Sequence, residues 1–229
     1  MDFILDGCFQ AIILLLKRDS ETFSAIWATL QASSISMSVS LIIGMPCGFF
    51  LGYFNFPGQK ILRTWVNTLL SLPTVFIGLM VYAFLTRQGP LGEWNLLFSL
   101  TGIAIGQTIL ALPIIIALVA TAIESADPDM KLTLTSLGAS RKQIFFTTLK
   151  EVRFNIIAAA MTAYGRVMTE VGISMMIGGN IKWHTRTITT AIALETNQGD
   201  FSKGIALGLV LMLIAFLTNH AVSFLREKT

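Results

Sequence analysis

The sequence predicts an all-α, polytopic membrane protein from three features. Of its 229 residues, 54% are hydrophobic and only 13% charged, about half the charged share of an ordinary soluble domain. Too few Lys, Arg, Asp and Glu are present to cover a water-soluble core of this size, so lipid must replace water over much of the surface. The apolar residues also fall in long windows that match the roughly 20 residues a bilayer-crossing helix needs. The charges gather at the ends of those windows and in one long segment, residues 124–153.

Residues 3–16 form the first apolar run, which is too short to cross comfortably. Asp2 and Asp6 open it, and Lys17 and Arg18 follow it. A secretory signal has the opposite charge order and a small-residue cleavage site. The run therefore reads as an uncleaved interfacial helix with its apolar side on lipid or a neighbouring helix, a short tilted span being the alternative. Residues 22–54, 65–85, 97–123, 154–177 and 205–224 then make about five transmembrane helices, and residues 1–229 form a single transmembrane domain. The first of these windows is long enough to tilt or to project from the bilayer.

Within the windows, Gly44, Gly48 and Gly52 recur at the spacing of a close-packing stripe. Pro73 and Pro113 each remove a helical N–H and predict kinks. With Ser71 and Thr74 beside it, Pro73 is also a candidate for lining a route, because freed backbone inside a membrane must be satisfied by protein or water. Cys8 and Cys47 lie among apolar neighbours and form no C-x-x-C pair, so they read as packing residues without a disulfide or metal framework. His184 and His220 are the only histidines, and no metal site is expected. A net charge of +3 is too small and scattered for a nucleic-acid surface.

Basic residues set the orientation. With the N-terminus outside, the inner segments hold nine: Lys60, Arg63, Lys131, Arg141, Lys142, Lys150, Arg153, Arg226 and Lys228. The outer segments hold six: Lys17, Arg18, Arg87, Lys182, Arg186 and Lys203. The bias runs in the direction of the positive-inside rule.

Residues 124–153 carry the punctuation of two helices. Asp127 followed by Pro128 is an N-cap with proline at the first helical position. Met130, Leu134 and Leu137 then share a face, and Gly138 can take the left-handed conformation that ends helices. Ser140 and Gln143 form a capping box, and Phe145, Leu149 and Val152 share the next face. This helix, glycine turn and helix would dock in a partner's groove or lie on anionic lipid.

Arg166 and Glu170 stand inside an otherwise apolar window. A charge at mid-helix costs about 2.5–3.5 kcal/mol on insertion scales, so it is paired or faces water. Four residues apart, the two can pair. They either neutralise each other and hold helices together, or form a gate in which Arg166 exchanges Glu170 for another partner as a pathway opens.

The run from Leu137 through Gly138, Ala139, Ser140, Arg141, Lys142, Gln143, Ile144 and Phe145 to Phe146 resembles the coupling segment of ABC-importer permeases. That pattern runs E-A-A, three residues, G, then a second helix ending near Leu-Pro. Here Leu132, Thr133 and Leu134 occupy the E-A-A places, and Lys150 and Glu151 stand near the Leu-Pro place. Residues 68–79 and 165–172, with 178–181 and 185–187, look like the matching parts of molybdate, sulfate and tungstate importers. The short N-terminal helix and residues 171–172, 175–180, 194–196 and 199–201 look most like the tungstate type, with molybdate and sulfate as alternatives.

The resemblance implies a type I ABC importer permease fold in a prokaryotic plasma membrane, N-terminus outside and C-terminus cytoplasmic. Leu137, Gly138, Ala139, Ser140, Arg141 and Gln143 would fit a cleft in a cytoplasmic ATPase. Its partners would be a second copy of itself, two ATPase subunits, an external oxyanion-binding protein and membrane lipid, with no nucleic acid. No G-x-x-x-x-G-K-[ST] loop occurs, so ATP and Mg belong to the ATPase, and this chain itself is no enzyme and binds no cofactor. Outside, Gly178, Gly179 and Asn180 precede the hydroxyl-rich Thr185, Arg186 and Thr187. These could offer weak donors to a tetrahedral oxyanion or simply face water or the binding protein. A stand-alone secondary transporter would show repeated halves, which are not evident. An intramembrane enzyme is disfavoured because Gly172-Ile173-Ser174 begins like G-x-S-x-G but Met176 fills the last place.

Overall fold

A computed structural model describes residues 2–126 and 128–227, and the described residues are helical with short connections. Helix α1 (Asp2–Leu16) leads into the long α2 (Ser20–Tyr53), followed by α3 (Gln59–Leu70) and α4 (Thr74–Leu85). A 3₁₀ turn, Gly92–Trp94, precedes α5 (Leu100–Glu124). Then come α6 (Pro128–Ser136), α7 (Arg141–Glu151), α8 (Arg153–Met168), α9 (Gly172–Gly178), α10 (Ile188–Asn197) and α11 (Phe201–Glu227). The N-cap expected at Asp127 lies outside the described residues.

Helices α2, α5 and α11 are long and apolar enough to cross a membrane. Local chemistry starts two of them: Asp19 accepts the Thr22 N–H at 2.8 Å, and Ser99 accepts that of Gly102 at 3.0 Å. The glycine stripe packs α2 onto α5. A Cβ added at Gly44 would lie 2.7 Å from Ile115 Cγ2, and one at Gly48 would lie 2.8 Å from Val119 Cβ. Phe49, Ile115, Val119 and Ala163 form the core beside this seam.

Two expected spans are broken. Residues 65–85 become α3 and α4, bent by 95° across residues 71–73. Pro73 supplies no N–H and pushes Leu72 out of helical conformation, so a sharp corner replaces the expected kink. Residues 154–177 become α8 and α9, separated at residues 169–171. Pro113, by contrast, is buried inside an unbroken α5. Among the described residues the helices that could cross by length and composition number three, or four with the bent α3–α4 pair, because neither α8 nor α9 is long enough alone.

The N-terminal helix finds the neighbour its apolar side requires. Ala11 packs with Ala206 and Val210 of α11, and a Cβ at Gly7 would lie 2.6 Å from Ile205 Cγ2. Cys8 and Cys47 correct the sequence reading, since both are exposed rather than packed. Cys47 points away from the Gly44 and Gly48 seam that faces α5.

Candidate functional site

The first candidate region is the turn between α6 and α7. Gly138 adopts φ +72, and the Ala139 N–H donates to Leu134 O at 3.0 Å, closing the last carbonyls of α6. Ser140 restarts the chain with the expected capping box. Its hydroxyl accepts the Gln143 N–H at 3.3 Å, and its own N–H donates to Gln143 Oε1 at 2.8 Å. Ile144, Phe145 and Leu149 turn inward, with Phe145 edge-on to Phe49 at 4.7 Å. Leu137 and Phe146 stay 78% and 67% exposed. Leu137 therefore leaves the half-buried face of Met130 and Leu134. Arg141, Lys142 and Gln143 are exposed beside it, giving an apolar knob with a basic flank.

The second region is the joint of the broken spans. Glu170 is 3% exposed and accepts from Arg166 Nη1 at 3.0 Å and from the Ile173 N–H at 3.3 Å. It caps the restart of α9 while pairing with α8. Neighbouring helices also bond to the backbone on both sides of the break. Thr189 Oγ1 donates to Glu170 O at 3.1 Å, and Gln107 Nε2 donates to Val167 O at 3.4 Å. Arg166 is 46% exposed at its side chain, on the open side of α8 with Thr162 and Thr169. An added Cβ at nearby Gly165 would meet nothing within 4 Å.

The two breaks meet in space. A Cβ at Gly172 would lie 3.3 Å from both Glu170 Oε1 and Val75 Cγ2, and 3.4 Å from Thr74 Oγ1. The corner of Ser71, Pro73 and Thr74 thus adjoins the Arg166–Glu170 pair. Sequence spacing gave no sign of this. Ser71 and Pro73 are exposed there, and Thr74 is half-buried.

The third region lies at the end of the bundle opposite Gly138, where the expected donors make bonds within the protein. Gly178 is buried, and Gly179 takes φ +68. Thr185 is buried, donates its hydroxyl to Gly178 O and accepts the Ile181 N–H at 3.1 Å. Thr187 is buried as the capping residue of α10, boxed with Thr190. Arg186 pairs with Glu21 and donates to Asn180 Oδ1 at 3.1 Å. These hydroxyl and guanidinium groups brace the loop. Lys182 also reaches Glu21 at 2.8 Å, and Lys203 reaches Glu195 at 2.6 Å. Burial pushes the Asp19 carboxyl up, but bonds from Thr22 and the charges of Lys203 and Lys182 outweigh it and hold the group below its usual range. Sequence reasoning missed Glu21 and Gln107; only the acid opening a long apolar helix could have flagged Glu21.

No group of three or more His, Cys, Asp or Glu that could hold a metal occurs among the described residues. Residues 44–228 match the family described as binding-protein-dependent transport system inner membrane component. This chain belongs to that family. It is 49% identical, over 99% of its length and 95% of the relative's, to a tungstate uptake system permease protein TupB of Campylobacter jejuni. A second TupB, from Peptoclostridium acidaminophilum, is 33% identical over 100% of both chains. Among solved structures, an inward-facing MetNI methionine ABC transporter superposes with a TM-score of 0.74 at 20% identity, covering 91% of this chain and 96% of that one. The fold is that of type I ABC importer permeases, and this chain is an integral membrane permease. The broken spans and the Gly138 turn are therefore parts of a transport subunit.

Proposed function

We propose that this permease passes a tetrahedral oxyanion, tungstate, across a prokaryotic plasma membrane with its N-terminus outside and its C-terminus in the cytoplasm. The observation that carries the reading is the 49% identity to a tungstate uptake permease across nearly the whole chain. The exposed Leu137 and Phe146 knob supports an ATPase cleft as the partner of the Gly138 turn, with Ala139, Ser140, Arg141 and Gln143 at its rim. ATP and Mg sit on two such ATPase subunits, since no phosphate loop is encoded here. Too few crossing helices are present to enclose a route, so two copies share one on their two-fold axis.

The mechanism is alternating access. An external binding protein delivers the anion, ATP closes the ATPase dimer, and the Gly138 turns drive the spans. Arg166, half-exposed and paired with the Glu170 that neighbours Thr74 across Gly172, works as the gate. It is held by Glu170 at rest and is released when α8 tilts. With Thr185, Arg186 and Thr187 engaged inside the protein, anion selection falls to the binding protein. Weak contact in the permease suits a conduit, because tight binding would retain the ion.

The test is ATP-dependent uptake of tungstate, molybdate and sulfate by vesicles holding the purified complex. Tungstate uptake dominating is the expected result. Preference for molybdate or sulfate would overturn the substrate, and uptake without the ATPase would favour a secondary transporter.

A further inference from the structure

Helix α2 carries a line of buried serines. Ser33, Ser36 and Ser40 are all 0% exposed, and none of their hydroxyls finds a hydrogen-bond partner among the described residues. A helical hydroxyl in this chain ordinarily donates to the carbonyl four residues back, as Thr29, Thr64, Thr108, Thr121 and Thr162 do at 2.7–3.0 Å. The three serines leave that bond unmade. Their hydroxyls therefore turn off α2 and into the seam with α5.

What lies across the seam follows from its register. Gly44 meets Ile115, Gly48 meets Val119 and Gly52 meets Ile123, so α2 and α5 run parallel. Continued about two turns toward the N-terminus of α2, the same register sets Ser36 opposite Gln107. Ser33 and Ser40 then fall opposite Ala104 and Ala111, both buried and small. Gln107 is 2% exposed. Its Nε2 donates to Val167 O at 3.4 Å, which fixes the amide, and its Oε1 has no partner among the described residues. Helix α8 closes the junction, since Met37 and Ala163 share one buried cluster and Ser34 Oγ lies 3.4 Å from Tyr164 Oη.

A buried donor and a buried acceptor left unmade at one register position each carry the desolvation cost of the group. An ordered water, which takes about three hydrogen bonds, is the usual remedy. Water at this position accepts from Ser36 and donates to Gln107 Oε1, and Ser33 or Ser40, one turn to either side, supplies the third partner. A metal cation fits these ligands poorly. All are neutral oxygens, and the Glu170 carboxylate that could balance the charge is already paired with Arg166 at 3.0 Å. An unbalanced positive charge would then be buried at membrane depth.

We propose that ordered water occupies the α2–α5 seam at Ser33, Ser36 and Ser40 and bridges Ser36 Oγ to Gln107 Oε1. Through Gln107 the bridge ties α2 to Val167 O, in the last turn of α8 beside Arg166. The site belongs to the fold and holds whichever ion the permease carries.

The test is a high-resolution structure of the full complex in lipid, with melting of Ser36→Ala, Gln107→Leu and the double variant measured alongside. A water peak within hydrogen-bond distance of both Ser36 Oγ and Gln107 Oε1 is expected. Ser36→Ala should lower the melting temperature of the parent complex by about 2–4 °C. Added to Gln107→Leu it should lower it by less than about 1 °C further, because the bridge is then already lost. A direct Ser36–Gln107 bond with no water between them would overturn the proposal, as would shifts that add in the double variant. A parent melting temperature raised by sodium chloride and not by choline chloride would overturn it in favour of a cation. Should Gln107→Leu fail to assemble, the presence or absence of the water peak decides by itself.

Discussion

Arg166→Ala and Glu170→Ala remove the two ends of one ion pair, yet they should have very different consequences. Arg166 keeps 46% of its side chain exposed, so its 3.0 Å bond to Glu170 is partly screened by solvent and contributes under about 1 kcal/mol to stability. Glu170 is 3% exposed and also caps the Ile173 N–H. Its removal strands that N–H, and a hydrogen bond to a charged group is worth about 1.5–3 kcal/mol. Together with the lost pair, Glu170→Ala should cost about 2–3 kcal/mol. At about 2–4 °C per kcal/mol for a chain of this size, the purified complex should melt roughly 5–10 °C lower, against less than about 4 °C for Arg166→Ala. Uptake should reverse the order of interest: Arg166→Ala, though stable, should lose most ATP-dependent anion transport because the gate has no cation to exchange. Transport at the normal rate by Arg166→Ala would refute the gate. Melting of Arg166→Ala as low as that of Glu170→Ala would refute the asymmetric burial on which the reasoning depends.

The remaining expectations concern the Gly138 turn, the α2–α5 seam, the Arg63–Glu124 pair and the Asp19 cap. Gly138→Ala forces an L side chain to φ +72 at about 1–2 kcal/mol, so anion moved per ATP hydrolysed should fall, and Gly138→Asn, which tolerates that conformation, should recover part of it. Gly48→Ala sets a Cβ 2.8 Å from Val119 Cβ and 2.9 Å from Ile116 O, and overpacking of about 1–3 kcal/mol should lower the melting temperature; an unchanged value would mean that α2 and α5 part easily. Arg63 and Glu124 pair with both side chains 37% exposed, so Arg63→Ala should leave melting within about 1 kcal/mol of the original while reducing uptake per ATP. Asp19→Ala should cost about 1 kcal/mol as a lost N-cap. Because the folded Asp19 carboxyl titrates below its usual value, that advantage is complete above about pH 4 and fades as pH falls through the lower folded value, a trend that paired melts from pH 7 to pH 3 would show.

What was legible in the sequence was local. Ser140 and Gln143 stand three residues apart, and a capping box is settled within that distance, so the restart of α7 could be read directly. Gly44 and Gly48 announced a close approach because only a missing side chain permits one. The break after Met168 was hidden for the opposite reason. Residues 169–171 contain no proline, and a hydropathy window averages over them. Distant residues brace the break, Gln107 from α5 and Thr189 from α10 bonding to the backbone on either side of it. Thr185 and Thr187 misled in the same way. A run of hydroxyls reads as a set of free donors until the fold reveals which carbonyls and N–H groups already hold them.

In the proposed mechanism, the same long-range contacts let a turn at one end of the bundle operate a joint near its middle. Only Val152 separates α7 from α8, and the Val152 N–H and O continue the helical bonding to Thr148 and Ile156. A push on Gly138 therefore enters α8 with little loss. From Arg153 to Arg166 that helix runs about 20 Å at 1.5 Å per residue, so a tilt of about 5° moves Arg166 by nearly 2 Å. A 3.0 Å hydrogen bond does not survive such a shift. Helix α9 need not follow, because Ile173 and Ile177 are buried against α4 and α5, and Glu170 and Gly172 lie at the break between the moving and fixed segments. A second route reaches the same place. Glu124, at the end of α5 that leads into α6, holds Arg63 of α3, and the far end of α3 is the corner at Ser71 and Pro73. In that mechanism two levers from one turn converge on adjoining breaks, and the interruptions that shorten these spans let the spans move without unfolding.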